Sequence, residues 1–231
     1  MKKFFLGSVL FLAIAVVFFN CKKNSDKKAV CNIRQLIQDS VVDNFTYDDK
    51  GRLSNIAIRE QLLTFEYSDN KTIITTSDAG QLWTTTTVVL NQAGLAINAR
   101  MEDNQSVGVW TNFVYEYNGD QLTRATITYS NGNPSQVINY QWTGGNMTSA
   151  VIGSDTTHYD YYTNKATQAG DYLSLVQLVS GYQIYRTKNL LKSVGTNSFT
   201  YTFDADGKIT SVGEVLSGAG ASQIQLQYEC N

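Results

Sequence analysis

His158 is the only histidine in the chain, so histidine-based acid–base or nucleophilic chemistry would have to pass through it. It stands in Thr157-His158-Tyr159-Asp160, where strand alternation would send His158 and Asp160 to one face, within hydrogen-bond reach. A triad also needs a nucleophile. A lone strand histidine among tyrosines packs more often than it catalyses, so no catalytic residue is assigned. One histidine and the lack of closely spaced cysteines speak against zinc. Asp204-Ala205-Asp206-Gly207 and Asp48-Asp49 have the look of calcium-loop fragments, but the distal glutamate is missing and turn chemistry is the better reading. Gly-rich phosphate motifs are absent. Neither metal nor cofactor is expected. Paired glycosidase carboxylates could converge in space, but spacing along the chain does not place them. The aromatics remain: Trp83, Trp110 and Trp142, with many tyrosines, could stack on a sugar or line an apolar pocket with His158, or they could fill a core.

The elements that would position these side chains are strands. Tyr, Thr, Val, Ile, Gly and Asn are abundant, and there is a single proline. An aromatic-x-aromatic pair, a turn rich in Asp, Asn or Gly and an apolar residue recur in that order. Phe45-Thr46-Tyr47 leads through Asp48-Asp49-Lys50-Gly51 to Leu53, and Tyr115-Glu116-Tyr117 through Asn118-Gly119-Asp120 to Leu122. Tyr140-Gln141-Trp142 leads to Met147, and Tyr201-Thr202-Phe203 through Asp204 to Gly207 and then Ile209. Each is a hairpin signal, with Gly and Asn supplying the positive φ of the turn.

Roughly 14 strands follow, beginning near 44–48 and ending near 222–229. They form an antiparallel meander that should curl or close into a barrel-like sheet. One segment breaks the rhythm. Over 171–179, Tyr172, Leu175, Val176 and Val179 share a helical face, with Asp171 placed to cap the start and Gly181 just beyond the end. A short helix covering one mouth or edge of the sheet is expected there; another strand is the alternative. The fold class is therefore all-β with one short helix. A barrel this wide need not fill with side chains, which leaves room for a ligand.

The amino terminus gives an address. Lys2 and Lys3 precede an apolar run from Phe4 to Phe19, and Asn20-Cys21-Lys22-Lys23 follows. A basic start, an apolar middle and an abrupt polar switch make a secretory signal. The run is short for a spanning helix. Cys21 resembles the acceptor of a bacterial lipoprotein signal, although Phe18 and Asn20 depart from the usual box. The alternatives are an uncut anchor helix and ordinary cleavage. Residues 1–20 are read as signal peptide, 21–30 as a lipid-anchored polar tether and 31–231 as a single β domain. Removing the signal leaves 16 basic residues against 20 acidic ones, without the basic footprint of a nucleic-acid binder. With lipid on Cys21, Cys31 and Cys230 remain as a pair in an oxidising compartment, expected to form a disulfide, with two buried thiols as the alternative.

The run from Phe45 to Leu53 resembles a YD-type repeat unit. Combined with the Cys-Lys-Lys start, the tandem hairpins, the segment Gly181 to Lys192 and the ending Tyr228-Glu229-Cys230, the chain resembles a Bacteroidota lipoprotein family of unknown function with a porin-like β fold. The resemblance implies a barrel-like antiparallel sheet and carries no catalytic residues.

These observations lead to a non-enzymatic protein of the cell envelope, lipid-anchored to the outer membrane, monomeric, and binding a small molecule or glycan in the barrel lumen. A structural lipoprotein that docks another envelope protein is the alternative, and a hydrolase the third. The outer face, with threonines on both sides of Trp83 to Val88 and with Leu122, Arg124, Thr126 and Thr128 sharing one face, predicts a barrel that does not cross a bilayer.

Overall fold

The hairpin motif builds a bulge as well as a turn. In the computed structural model, which describes residues 31–218 and 220–230, the second aromatic of each motif pairs with the apolar residue that opens the next strand: Tyr47 with Leu53, Tyr117 with Leu122, Trp142 with Met147 and Phe203 with Ile209. The next pairs are Thr46 with Asn55, Glu116 with Arg124, Gln141 with Ser149 and Thr202 with Ser211, so one residue is skipped each time. The skipped residues are Ser54, Thr123, Thr148 and Thr210, all hydroxyl-bearing. Thr123 and Thr148 donate back across the hairpin to the carbonyls of Glu116 and Gln141. Ser54 and Thr210 pair with the hydroxyls of Thr46 and Thr202. An extra residue shifts the pleat by one. Leu53 and Ile56, Leu122 and Ala125, Met147 and Ala150, and Ile209 and Val212 therefore reach the same buried face three positions apart.

Sixteen strands result. The first eight are β1 (Cys31–Gln38), β2 (Val41–Tyr47), β3 (Leu53–Ile58), β4 (Gln61–Ser68), β5 (Lys71–Asp78), β6 (Gln81–Leu90), β7 (Ala96–Asp103) and β8 (Trp110–Asn118). The rest are β9 (Gln121–Tyr129), β10 (Gln136–Thr143), β11 (Asn146–Ile152), β12 (Asp155–Ala166), β13 (Asn189–Val194), β14 (Asn197–Phe203), β15 (Ile209–Leu216) and β16 (Gly220–Cys230). Each pairs antiparallel with its sequence neighbours, and β1 pairs with β16, so the meander closes into a barrel. Closure leaves no sheet edge. Cys31 and Cys230 face each other at this seam and are joined by a disulfide. The signal peptide and the tether with Cys21 lie outside the described residues.

Two strands were not foreseen in the sequence, β1 and β13. In β1 a bulge between Ile33 and Gln35 spaces the buried Ile33 and Leu36 three apart, which hides the period of two. In β13 the adjacent Leu190 and Leu191 are both fully buried.

Up-and-down order divides the barrel into two ends. The motif turns 48–52 and 204–208 lie at the end that carries Cys31 and Cys230. The short turns at 39–40, 59–60 and 79–80 lie at the other. At the disulfide end, inward aromatics clasp the wall. The Tyr47, Tyr67 and Tyr117 hydroxyls donate to the carbonyls of Ile33, Leu53 and Ala96 at 2.8, 2.8 and 2.7 Å, and Trp142 Nε1 donates to the carbonyl of Leu122 at 2.7 Å. The two Asp-rich segments are turns, as expected. Asp48 Oδ1 accepts from the amides of Lys50 and Arg52, and Asp204 Oδ1 from those of Asp206 and Lys208.

The outer wall carries polar ladders, with Val42, Leu62, Val114 and Val215 exposed among them. Gln35 bonds Asn44, Thr64 meets Thr75, Asn98 bonds Asn112, and Thr202 and Gln223 meet at Ser211. Salt bridges Arg34–Glu229, Arg100–Glu102 and Arg124–Glu116 lie on the same surface. Phe45, Ile56, Phe65, Ile74, Val88, Leu122, Phe199 and Val212 form the lumen's apolar core.

Candidate functional site

The connection between β12 and β13 does not run over the surface. It enters the barrel at the disulfide end and crosses the lumen. Gly170, at φ +91°, lies so close to the wall that a Cβ there would come within 2.8 Å of both Leu226 and the Tyr228 hydroxyl. Helix α1 (Tyr172–Ser180) follows, with Tyr172 stacked on Phe199 of β14 at 4.0 Å between ring centroids. Gly181 ends the helix in the left-handed region at φ +79°, its amide reaching the carbonyls of Gln177 and Leu178. It presses on β4 and β5: a Cβ would lie 2.2 Å from the Phe65 ring. Beyond it, the Ala96 amide donates to the carbonyl of Gln183, the Lys188 amide donates to that of Gly145, and the Tyr117 hydroxyl shares its hydrogen between the Ala96 carbonyl and that of Ile184, 3.0 Å away. Gln177, buried on the helix, accepts the amides of Ile184 and Tyr185. Residues 167–188 thus seal one end of the barrel.

Asp171 anchors this plug. It is fully buried, and its Oδ1 accepts the Leu191 amide at 2.9 Å and the Tyr201 hydroxyl at 3.0 Å. It stands at the helix N-cap position as expected, yet makes no side-chain cap hydrogen bond. Burial pushes its carboxyl above the ordinary value, against the pull of the Leu191 amide and the Tyr201 hydroxyl.

The opposite end remains open. Between α1 and the wall lies a cavity of about 950 Å³. Its floor is the helix face of Tyr172, Leu175, Val176, Val179 and Ser180; Val176 is 43% exposed there. Leu36, Ile58 and Ile224 add apolar wall. The polar lining is one-sided: Asp39, Asp43, Glu60, Asp78 and Glu214 stand against a single Arg59. Glu214 is only 4% exposed. Its Oε2 accepts from Ser222 Oγ at 3.0 Å and Gln38 Nε2 at 3.3 Å. Asp43 Oδ1 is shielded from solvent and has no hydrogen-bond partner. Burial raises the Asp43 carboxyl above its ordinary value, and Arg59 opposes the rise. Among the described residues, no group of three or more His, Cys, Asp or Glu side chains could hold a metal ion.

The four residues proposed from sequence as ligand-lining lie elsewhere. Trp142 is inside the barrel, clasped to Leu122 at the sealed end. His158 is exposed on the outer wall, paired in register with Ser149; Asp160 shares its face and accepts from Ser193 Oγ at 3.3 Å. Trp83 and Trp110 flank a separate groove of about 410 Å³ with Met101 and Val109, and Arg100 lies over the Trp110 ring at 4.4 Å. Sequence reasoning missed Asp43 and Glu214. Their signal was present: Asp43-x-Phe45-x-Tyr47 and Val212-x-Glu214 put a carboxylate in register with buried apolar residues.

Solved structures share this fold, among them two porin-like proteins. A porin-like protein from Bacteroides uniformis ATCC 8492 superposes with a TM-score of 0.63 at 16% identity, covering 86% of this chain and 95% of that one. A porin-like protein from Bacteroides vulgatus ATCC 8482 gives 0.59 at 16% identity, covering 85% and 98%. The likeness extends to the fold alone. No family model and no curated protein matches the chain.

Proposed function

We propose that this chain is a non-enzymatic, lipid-anchored protein of the cell envelope that holds a small ligand in the open cup of its barrel. The observation that carries the reading is the asymmetry of the lumen: residues 167–188 fill one end, while the other keeps a cavity of about 950 Å³. This is within the range of pockets that hold small molecules.

The polar outer wall supports a barrel surrounded by water. A spanning barrel carries an apolar outer band, and charges there are costly. Here the packed part of the lumen is apolar, and the outside carries threonine, asparagine, glutamine and ion pairs among scattered exposed valines and leucine. Anchoring then falls to acyl chains on Cys21. Residues 22–30 reach at most about 30 Å when extended. They lead to Cys31 at the sealed end, so the acyl chains attach at the end of the barrel opposite the cup.

A thermal-shift screen of the full chain against small molecules and glycans tests this, run beside Val176→Trp, which fills the cup from its floor. The reading predicts stabilising compounds whose effect is lost in the variant. Compounds that stabilise both proteins equally, or a screen without a hit, contradict it.

A further inference from the structure

The lining of the cup narrows the class of ligand. Glu214 is more than nine-tenths buried, and both of its hydrogen bonds go to one oxygen. The side chain lines the cavity. Asp43 lines the same cavity, while its Oδ1 is shielded from solvent and has no hydrogen-bond partner. A carboxylate drawn partly out of water gains from a charge-assisted hydrogen bond to a ligand donor. Three further carboxylates ring the mouth with one guanidinium among them, and a concave wall of one sign concentrates counter-ions. The helix floor supplies Leu175, Val176 and Val179 for an apolar stem. An inorganic ion would have no use for that floor, and the described carboxylates form no metal cluster.

Building on the ligand-cup reading, we infer that the cup takes a small amphiphilic organic cation, its ammonium or guanidinium group donating to Glu214 and Asp43 and its apolar stem lying on α1. Charge-assisted hydrogen bonds to a partly desolvated carboxylate are roughly twice as strong as neutral ones. The class therefore discriminates against neutral and anionic molecules of the same shape.

The experiment is a fluorescence titration of the purified full chain with dansylcadaverine, which carries a primary ammonium on an alkyl stem, beside N-butyl dansylamide, which lacks the charge. The cationic probe is expected to bind at least tenfold more tightly. Glu214→Gln and Asp43→Asn should each weaken it at least tenfold and leave the neutral probe unchanged. Should either buried substitution fail to fold, Gln61→Lys at the exposed mouth places a positive charge in the path and should weaken the cationic probe alone. Equal binding of both probes, abolished by Val176→Trp, would overturn the cation class while sparing the cup. Binding of neither probe would overturn the class and count against the cup itself. Cationic binding that ignores all three charge changes, or that calcium displaces, would also overturn the class.

Discussion

Tyr201 donates its hydroxyl to Asp171 Oδ1 at 3.0 Å, linking the barrel wall to the base of the plug. The Leu191 amide shares that oxygen, and Oδ2 has no partner. Burial raises the carboxyl above its ordinary value. Between the unfolded and the raised folded value the folded chain binds more protons, so stability falls as pH rises through that window. Asp43 acts with the same sign. Asp204, held below its ordinary value chiefly by the Lys208 amide, acts with the opposite sign and weakens the fold in acid. Asp171→Asn removes one contribution alone. Its melting temperature relative to the wild type should rise as pH increases from about 4 to 7. A difference that stays constant or falls contradicts the buried carboxyl.

Gly181 tests the plug. Alanine there meets both a left-handed backbone and the Phe65 ring, and should cost about 2 to 4 kcal/mol in denaturant unfolding. Gly51 has a similar φ of +74° with nothing within 4 Å of its Cβ position. Gly51→Ala should cost only about 1 to 2 kcal/mol. Equal losses at the two sites would mean that α1 does not press on β4 and β5.

The Cys31–Cys230 bridge closes a separation of 199 residues at the β1–β16 seam. In the chain-entropy model such a loop is worth about 5 kcal/mol, and measured bridges usually give less. Cys31→Ser together with Cys230→Ser should lower stability by about 2 to 5 kcal/mol. Non-reducing peptide mapping of the exported protein should recover the linked pair; two free thiols would refute it.

The outer wall makes its own prediction. Residues 31–231, produced without the segment that carries Cys21, should be monodisperse in detergent-free buffer and silent in planar bilayers. A requirement for detergent, or ion conduction, would contradict a wall of ladders such as Thr64 with Thr75 and Asn98 with Asn112.

The barrel was legible in the sequence because each turn announces itself: Asp48-Asp49-Lys50-Gly51 and Asp204-Ala205-Asp206-Gly207 carry their own hydrogen-bonding chemistry. The helix was legible too, expected over 171–179 and found at Tyr172–Ser180 with Gly181 at its end. Strands β1 and β13 were not, since a bulge in one and adjacent buried leucines in the other erase the period of two. The cup was hidden for a different reason. Gln38, Asp43, Glu214 and Val176 come from β1, β2, β15 and α1, and only closure of the barrel and insertion of the 167–188 connection bring them together. The tryptophans drew attention by chemical type, yet Trp142 serves the wall and Trp83 and Trp110 lie at another groove.

Thiol chemistry at Val176 reads the open, negatively charged cup above its helical floor. In residues 31–231 with the disulfide intact, Val176→Cys should react readily with small methanethiosulfonates. A cationic reagent should outpace an anionic one of similar size by about tenfold at low salt, the gap narrowing as salt is added. Leu191→Cys, fully buried in the wall, should stay inert. A Val176→Cys thiol as unreactive as that control, or one modified faster by the anionic reagent, would mean that no open, negatively charged cup lies above the helix.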